Sequence, residues 1–269
     1  EKTRAYYGES CPNPSLRIFP IKEVADIGRK HGIPLIIDNT AAPVICRPLE
    51  HGAAIVMHSL TKYIGGHGTT IGGIIVDGGN FDWAANPKKQ PLFNEPDQSY
   101  NGAIWGRDVP KMTGANVAFA IRARVVLLRD LGAPLSPFNA FQIIQGLETV
   151  AIRMKQHCAN AEKVVKFLET QKKVKNVIYP TNHQGEIRDR AKRYMKGGYG
   201  SLVGMDLGSL EAGSKFINNL KLLYHVANIG DARSLAIHPA STTHGQLNEK
   251  QLAEAGVTPG YVRLSIGIE

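Results

Sequence analysis

Cysteine is scarce: Cys11, Cys46 and Cys158 are the only three, they lie far apart, and no CxxC pair occurs. Such a set builds neither a disulfide framework nor a zinc cluster, so no metal is expected, and reduced thiols in a cytoplasmic protein are the natural reading. No run of about 18 apolar residues is present, which excludes a membrane-spanning helix, and no membrane partner is expected. The opening stretch from Glu1 to Tyr7 lacks the apolar core of a signal peptide, so secretion is not expected either. The chain also opens without Met, at Glu1, which reads as processing or a fragment. No internal repeat and no low-complexity tract is visible, so solenoid, collagen-like and disordered classes fall away. Acids are in deficit, 23 against 32 Lys and Arg, for a net charge of +9. The excess shows in Lys172-Lys173-Val174-Lys175 and from Arg188 to Arg193. A solvated helix face explains these stretches better than a nucleic-acid surface, because acids are interspersed and no helix-turn-helix, RNP or zinc-finger spacing accompanies them. The charge equally suits attraction of anionic small molecules.

What is present is globular: 43% apolar and 20% charged residues in a chain of 269, enough for one large domain or two small ones. Apolar runs at Pro34 to Ile37, Ala53 to Met57 and Ile71 to Val76 alternate with helical patterns, the first helix running from Ile21 to His31. That alternation predicts an α/β layer with a buried, mainly parallel sheet. After a Pro/Asn-rich loop from Asn80 to Gln98, helical character returns between Asp108 and Asp130. Phe138, Phe141, Ile144, Leu147, Val150, Met154, Cys158, Ala161, Val165 and Leu168 then recur every three or four residues. They predict one long amphipathic helix, or two nearly continuous ones, with Ser136 as N-cap and Pro137 at the first position. Short strands follow at 177–179, 201–207, 222–226 and 261–265, separated by helices near Glu211 to Leu220 and Asn248 to Ala255. They predict a smaller α+β domain beginning near residue 160, giving domains 1–158 and 159–269.

The segment His58-Ser59-Leu60-Thr61-Lys62-Tyr63-Ile64-Gly65-Gly66-His67-Gly68-Thr69-Thr70 follows an apolar strand directly. Two hydroxyls flank a lysine where the strand ends, and glycines then let the backbone turn tightly and approach a ligand. Hydroxyls and free amides suit a phosphate, and a neutral lysine beside them can attack a carbonyl. The pattern therefore suits a phosphate-bearing aldehyde held as a Schiff base; it is not a Walker loop, whose glycine precedes the lysine. Asp38 ends the strand Pro34 to Ile37, and open α/β sheets bind ligands beyond the carboxyl ends of their strands, so Asp38 and Lys62 can converge. Alone, Asp38 is equally a helix N-cap or a turn former. Beside the lysine segment it reads as the partner of a protonated pyridine nitrogen. His238 and His244 lack the spacing of a helical zinc pair, so structural roles are expected, as they are for His58 and His67; Cys158 reads as core.

Three of these segments, Ile36 to Thr40, His58 to Gly73 and Tyr261 to Glu269, resemble the fold-type-I pyridoxal-phosphate enzymes of cysteine and methionine metabolism. Further agreement comes from Leu135 to Phe141, Gln145 to Thr149, Ala227 to Ala232 and His238 to His244, so the resemblance runs essentially end to end. It implies a fold-type-I PLP-transferase-like large domain, N-terminally incomplete, followed by the α+β domain. It implies pyridoxal phosphate as cofactor, Lys62 as the Schiff-base lysine and proton shuttle, Asp38 on the pyridine nitrogen, and Ser59 with Thr61 on the phosphate. Arg263 matches the arginine that grips the substrate α-carboxylate, a task for which its planar fork is suited. Asn13, in Glu9-Ser-Cys-Pro-Asn-Pro14, matches an asparagine near the cofactor's phenolic oxygen and the substrate carboxylate, although Cys11-Pro12 departs from the commoner wording. Asn228 stands where the lyases tend to have Ser, a position suited to steering the lysine or the substrate.

Within the family the wording of Ser59 to Tyr63, Gly66 to Thr70 and Ala227 to Asp231 is most similar to O-acetylhomoserine sulfhydrylases, which implies γ-replacement of acetate by sulfide to give homocysteine. Cystathionine γ-synthase, cystathionine γ-lyase and methionine γ-lyase activities are the alternatives, and an inactive scaffold or basic binding module is the alternative of another class. The resemblance also implies a homotetramer, a dimer of dimers, with small-molecule amino-acid substrate and sulfide as partners. Aligned by motif, Glu1 falls inside the large domain and Glu269 before the family's closing helix. The family's N-terminal arm, phosphate-binding glycine loop and cofactor-stacking tyrosine are then missing. The isolated 269-residue chain is accordingly expected to take up pyridoxal phosphate weakly or not at all in an absorbance titration; tight stoichiometric uptake would refute this.

Overall fold

The structure is a computed structural model and describes residues 2–243, 245–247, 249–254 and 256–269, without the side chains of 249, 253 and 254. His244, Asn248 and Ala255 lie outside the described residues. The first sheet has the order β1-β2-β3-β4, from Tyr6–Glu9, Leu35–Asp38, Ile55–Ser59 and Gly73–Asp77. β1 runs parallel to β2 and β2 to β3, whereas β4 is antiparallel on β3, so the expected mainly parallel sheet is present with one reversed edge. The crossover from β1 to β2 is α1 (Ile21–Lys30), which buries Ile21, Ala25 and Gly28 on one stripe and carries Arg29 and Lys30 in its last turn, where the helix dipole favours them. β1 escapes the pattern reading because its four residues alternate half-buried and exposed and include Glu9.

Between the sheets lie α2 (Pro91–Asn94), α3 (Trp105–Thr113) and α4 (Ala118–Arg122), the last continuing as a wide π-type turn over Ala123–Arg129. Trp83, Phe93 and Trp105 pack there in a separate aromatic cluster against Ala54 and Ile55. α5 (Pro137–Glu169) then runs for 33 residues without a break. α6 (Gly185–Tyr194), α7 (Leu210–Asn218) and α8 (Glu249–Glu254) accompany the second sheet. That sheet is formed by β5 (Asn176–Ile178), β6 (Leu202–Asp206), β7 (Tyr224–His225), β8 (Leu235–Ile237) and β9 (Tyr261–Ser265), in the order β5-β6-β9-β8-β7. Arg263 sits mid-strand on β9, opposite Gly204 on one side and Ile237 on the other. The basic stretch from Arg188 to Arg193 is the surface of α6; Arg193 pairs with Glu23 at 3.0 Å and Arg190 with Glu186 at 2.9 Å.

α5 serves two cores. Ile143, Val150, Met154 and Cys158 join the cluster beneath the first sheet, and Ala161, Val165 and Leu168 join the one beneath the second. Its first turns differ from the expected stripe: Phe138 is 67% exposed and Phe141 56%, with Ile144 and Leu147 also exposed. The buried positions there are Ile143 and Gly146, one step round the helix, because at Gly146 the helix touches the backbone of the loop that follows β3. Met154, fully buried, is expected to cost about 2–5 kcal/mol as Met154→Ala in urea unfolding, whereas Phe138→Ser on the exposed face is expected to change stability by less than about 0.5 kcal/mol.

Candidate active site

The carboxyl ends of β2 and β3 are hooked together by side chains. Asp38 Oδ1 accepts from the Thr40 amide at 2.8 Å, and Thr40 Oγ1 accepts from the Ser59 amide at 2.7 Å. Beyond Ser59 the chain winds into a compact turn: the Lys62 amide donates to Ser59 O, Gly65 to Leu60 O and Gly66 to Lys62 O, at 3.2, 2.8 and 2.7 Å. Thr61 Oγ1 accepts from the Gly72 amide at 3.1 Å, tying the turn to the strand that leaves it. Gly66 has φ +75°, a left-handed conformation that a side chain would strain.

The second sheet reaches the lysine. Lys62 Nζ donates to Asn228 Oδ1 at 2.5 Å, and Arg263 Nη2 donates to Asn228 O at 3.0 Å, so one asparagine ties the amine to the guanidinium. Burial, and then the Arg263 charge, lower the Lys62 pKa and favour the neutral amine. Burial likewise lowers that of Arg263, whose buried Nε has no partner among the described residues. Asp38 Oδ2 is held only loosely, 3.4 Å from the Tyr7 hydroxyl. His58 Nδ1 is buried and unpartnered among the described residues; burial lowers the pKa of this histidine while nearby Asp38 opposes the shift.

Lys62, Asn228 and Arg263 are thus brought together, and Asp38, Ser59 and Thr61 stand at adjacent strand ends. Asn13 is exposed on the turn after β1, and no hydrogen bond among the described residues joins its side chain to the group. His67 Nδ1 lies 2.7 Å from Gly65 O, and buried His238 binds Ser241 Oγ and Pro259 O, the loop-shaping and structural roles expected of them. Cys158 is buried as expected; burial pushes the thiols of Cys11 and Cys46 up to about 12. The sequence reading missed Tyr7 and Glu9, which face Asp38 from β1 in register with β2, and it missed Arg153. Glu9 is legible only once β1 is recognised; Arg153 could have been found as a cation three positions after Val150 and one before Met154, on the apolar stripe of the long helix.

Pyridoxal phosphate, implied by the resemblance, fits this donor set. The amine is biased toward neutral, a strand-end carboxylate keeps one loosely held oxygen, and a buried guanidinium edge is unpaired. No hydrogen bond among the described residues engages the Ser59 hydroxyl, which leaves it available to a phosphate oxygen. A pH titration of Lys62 acylation, read by mass spectrometry on cofactor-free protein, should have its midpoint below the ordinary lysine value of about 10.4. Arg263→Gln removes a positive neighbour, so the midpoint is expected to rise yet stay below that value, because burial remains.

The profile of the family described as Cys/Met metabolism PLP-dependent enzyme matches residues 1–269. The chain is 50% identical over 276 residues to an O-acetyl-L-homoserine sulfhydrylase of Leptospira meyeri, covering 100% of this chain and 62% of that protein. It is 45% identical over 274 residues to O-acetyl-L-homoserine sulfhydrylase 1 of Thermus thermophilus, covering 100% of this chain and 63% of that one. A crystal structure from Campylobacter jejuni, described as a candidate O-acetylhomoserine (thiol)-lyase containing a pyridoxyl-lysine monophosphate, superposes with a TM-score of 0.90 at 39% identity. That superposition covers 99% of this chain and 63% of the other. The chain therefore spans somewhat over three-fifths of the length of these relatives. With its fold, its lysine turn and its full-length match to the profile, the chain belongs to the Cys/Met metabolism PLP-dependent enzyme family.

Proposed function

We propose that this chain carries the reaction centre of an enzyme that converts O-acetylhomoserine and sulfide to homocysteine and acetate. The observation that carries the proposal is the Lys62–Asn228–Arg263 connection, which sets a neutral-biased amine beside a guanidinium with a free edge. Two relatives named O-acetyl-L-homoserine sulfhydrylase, at 50% and 45% identity, support the choice of reaction over the cystathionine and methionine lyases. In that reaction the Cγ–O bond breaks with its electron pair leaving on acetate, and hydrosulfide forms the Cγ–S bond.

Lys62 would hold the aldehyde carbon of pyridoxal phosphate, Asp38 its ring nitrogen, and Ser59 and Thr61 its phosphate. When bound, the cofactor supplies an electron sink for negative charge developing at the substrate Cα. Lys62, in its neutral form, is the base that takes the α-proton and redelivers it. Asn228 orients that amine through the 2.5 Å bond to its amide oxygen. Arg263 grips the substrate α-carboxylate with the donors left over from Asn228, and Asn13 assists at the same carboxylate.

The division into domains 1–158 and 159–269 belongs to this reading, supported by the change of core along α5 between Cys158 and Ala161. So does a homotetrameric assembly, supported by the exposed apolar residues Phe138, Phe141, Ile144, Ile74 and Ile75, which need a protein cover. A cytoplasmic location is supported by the free thiols of Cys11, Cys46 and Cys158. The test is product analysis with the native gene product. Homocysteine and acetate are expected in equal amounts from O-acetylhomoserine plus sulfide, with loss of turnover and of bound-cofactor absorbance in Lys62→Ala. Absence of homocysteine from that mixture, or turnover of cystathionine or methionine alone at a higher rate, would overturn the proposal.

A further inference from the structure

Arg153 is 6% exposed on α5, yet among the described residues it has no carboxylate partner. All its contacts are to neutral oxygens. Nη1 donates to Tyr63 O at 2.6 Å, Nη2 to Ile64 O at 3.0 Å and to Gly146 O at 2.6 Å, and Nε to Thr149 Oγ1 at 3.1 Å. Tyr63 and Ile64 are the two residues after Lys62, so the guanidinium grips the lysine turn from behind. A buried charge without a counter-ion is expensive, and an apolar side chain of similar volume would pack at lower cost. What an apolar side chain cannot do is hold two successive carbonyls of a tight turn and a helix carbonyl at once, which the planar fork does.

The surroundings are shaped for this contact. A Cβ on Gly66 would lie 2.3 Å from Arg153 Nη1, and one on Gly146 would lie 2.5 Å from both Ile64 O and Gly65 O. On its other side the turn is held by the 228–232 segment: Ala232 N donates to Gly66 O at 2.8 Å, and Asn228 of the same segment receives Lys62 Nζ. Arg153 pulls the turn from α5 while Asn228 receives the amine at the far end. The Arg263 charge lowers the Lys62 pKa, and Arg153 reaches the turn through the backbone carbonyls of Tyr63 and Ile64.

We propose that Arg153 is a positioning residue for Lys62: by holding the Tyr63 and Ile64 carbonyls against α5 it sets the buried position of the lysine amine beside Asn228. The inference rests on Lys62 being the reactive amine, and it adds a residue outside the site to the machinery that places it.

The experiment uses the native gene product after cofactor removal and reads the pH midpoint of Lys62 acylation by mass spectrometry, beside urea stability and kcat and KM of the reloaded enzyme. Arg153→Gln is expected to raise the midpoint by roughly one pH unit, about tenfold in the neutral fraction at neutral pH, as the amine swings out toward water. It should lower kcat more than it raises KM. Arg153→Lys, which can reach one carbonyl, should fall between Arg153→Gln and the native protein. Val165→Ala, a destabilising change in the second core, should leave the midpoint unchanged. Should Arg153→Gln not fold, Thr149→Val, which removes the Nε acceptor together with the 3.3 Å bond from Thr149 Oγ1 to Gly146 O but leaves the Tyr63 and Ile64 carbonyls held, should give a smaller shift in the same direction. An unmoved midpoint in the folded arginine variants, or in Thr149→Val where those do not fold, would overturn the proposal, as would an equal shift in Val165→Ala. Cofactor capture persisting in Lys62→Ala would instead sink the proposed function, a result the midpoint shift does not depend on.

Discussion

The site depends on a five-residue turn, Lys62 to Gly66, being pressed between two structural units, with no room for a Cβ at Gly66 or at Gly146 of α5 opposite it. On one face the turn meets the backbone of α5 at Gly146; on the other, Gly66 O receives the amide of Ala232. A turn so confined cannot drift, and the lysine at its head is therefore placed by backbone contacts made several residues away. Its left-handed Gly66 and the glycine in α5 are consequences of that confinement: in each case a Cβ would collide with a fixed neighbour. The tight interior packing that makes a methylene matter in a core here makes the presence of a Cβ matter in the lysine turn.

The electrostatics follow from the same confinement. Lys62, Arg263 and Arg153 are all cationic when protonated, and the hydrogen bonds that hold the three are to amide, carbonyl or hydroxyl oxygens, with no ion pair among the described residues. Neutral oxygens compensate a buried cation less fully than a carboxylate would, and a lysine, unlike an arginine, can respond by shedding its proton. Burial and the Arg263 charge both push Lys62 that way. Asp38 stands apart, at the end of β2, anchored to its own turn through Thr40. The cations Lys62 and Arg263 are tied to Asn228, while the acid is anchored at the end of β2, a division suited to a ligand that offers a carboxylate to one and a protonated nitrogen to the other.

α5 carries the mechanical load of this arrangement. Its middle packs under the first sheet, its end under the second, and Arg153 lies within the first of these stretches, with its guanidinium on the lysine turn. Its first turns, by contrast, present Phe138, Phe141 and Ile144 to the surface, and the edge strand β4 exposes Ile74 and Ile75. Singly exposed apolar residues are ordinary, and the number gathered on these two elements sets them apart from the rest of α5.

Much of this was legible in the residues alone. Alternating apolar runs and turn residues located β2, β3, β4, α1 and α5, because burial on a sheet or a helix face imposes its period on the sequence. The lysine segment and Asp38 were legible because strand ends and glycine turns are where an α/β layer exposes chemistry. Strands β1 and β8 were not: β1 alternates half-buried and exposed positions and carries Glu9, and β8 is a three-residue apolar run, Leu235 to Ile237, between polar residues. Nor was the phase of α5 before Val150, where a helical stripe of Phe and Leu reads as core in any sequence but a glycine contact with another segment rotates the buried face by one position. The chemistry of the site, an amine, an acid and an arginine at recognisable motifs, was determined by the sequence itself. That Asn228 joins two of them, that Arg153 holds the turn, and that Lys62 is driven toward its neutral form were decided only by the tertiary structure, because desolvation and hydrogen bonding arise between segments 35 to 166 positions apart, a separation that no local pattern encodes.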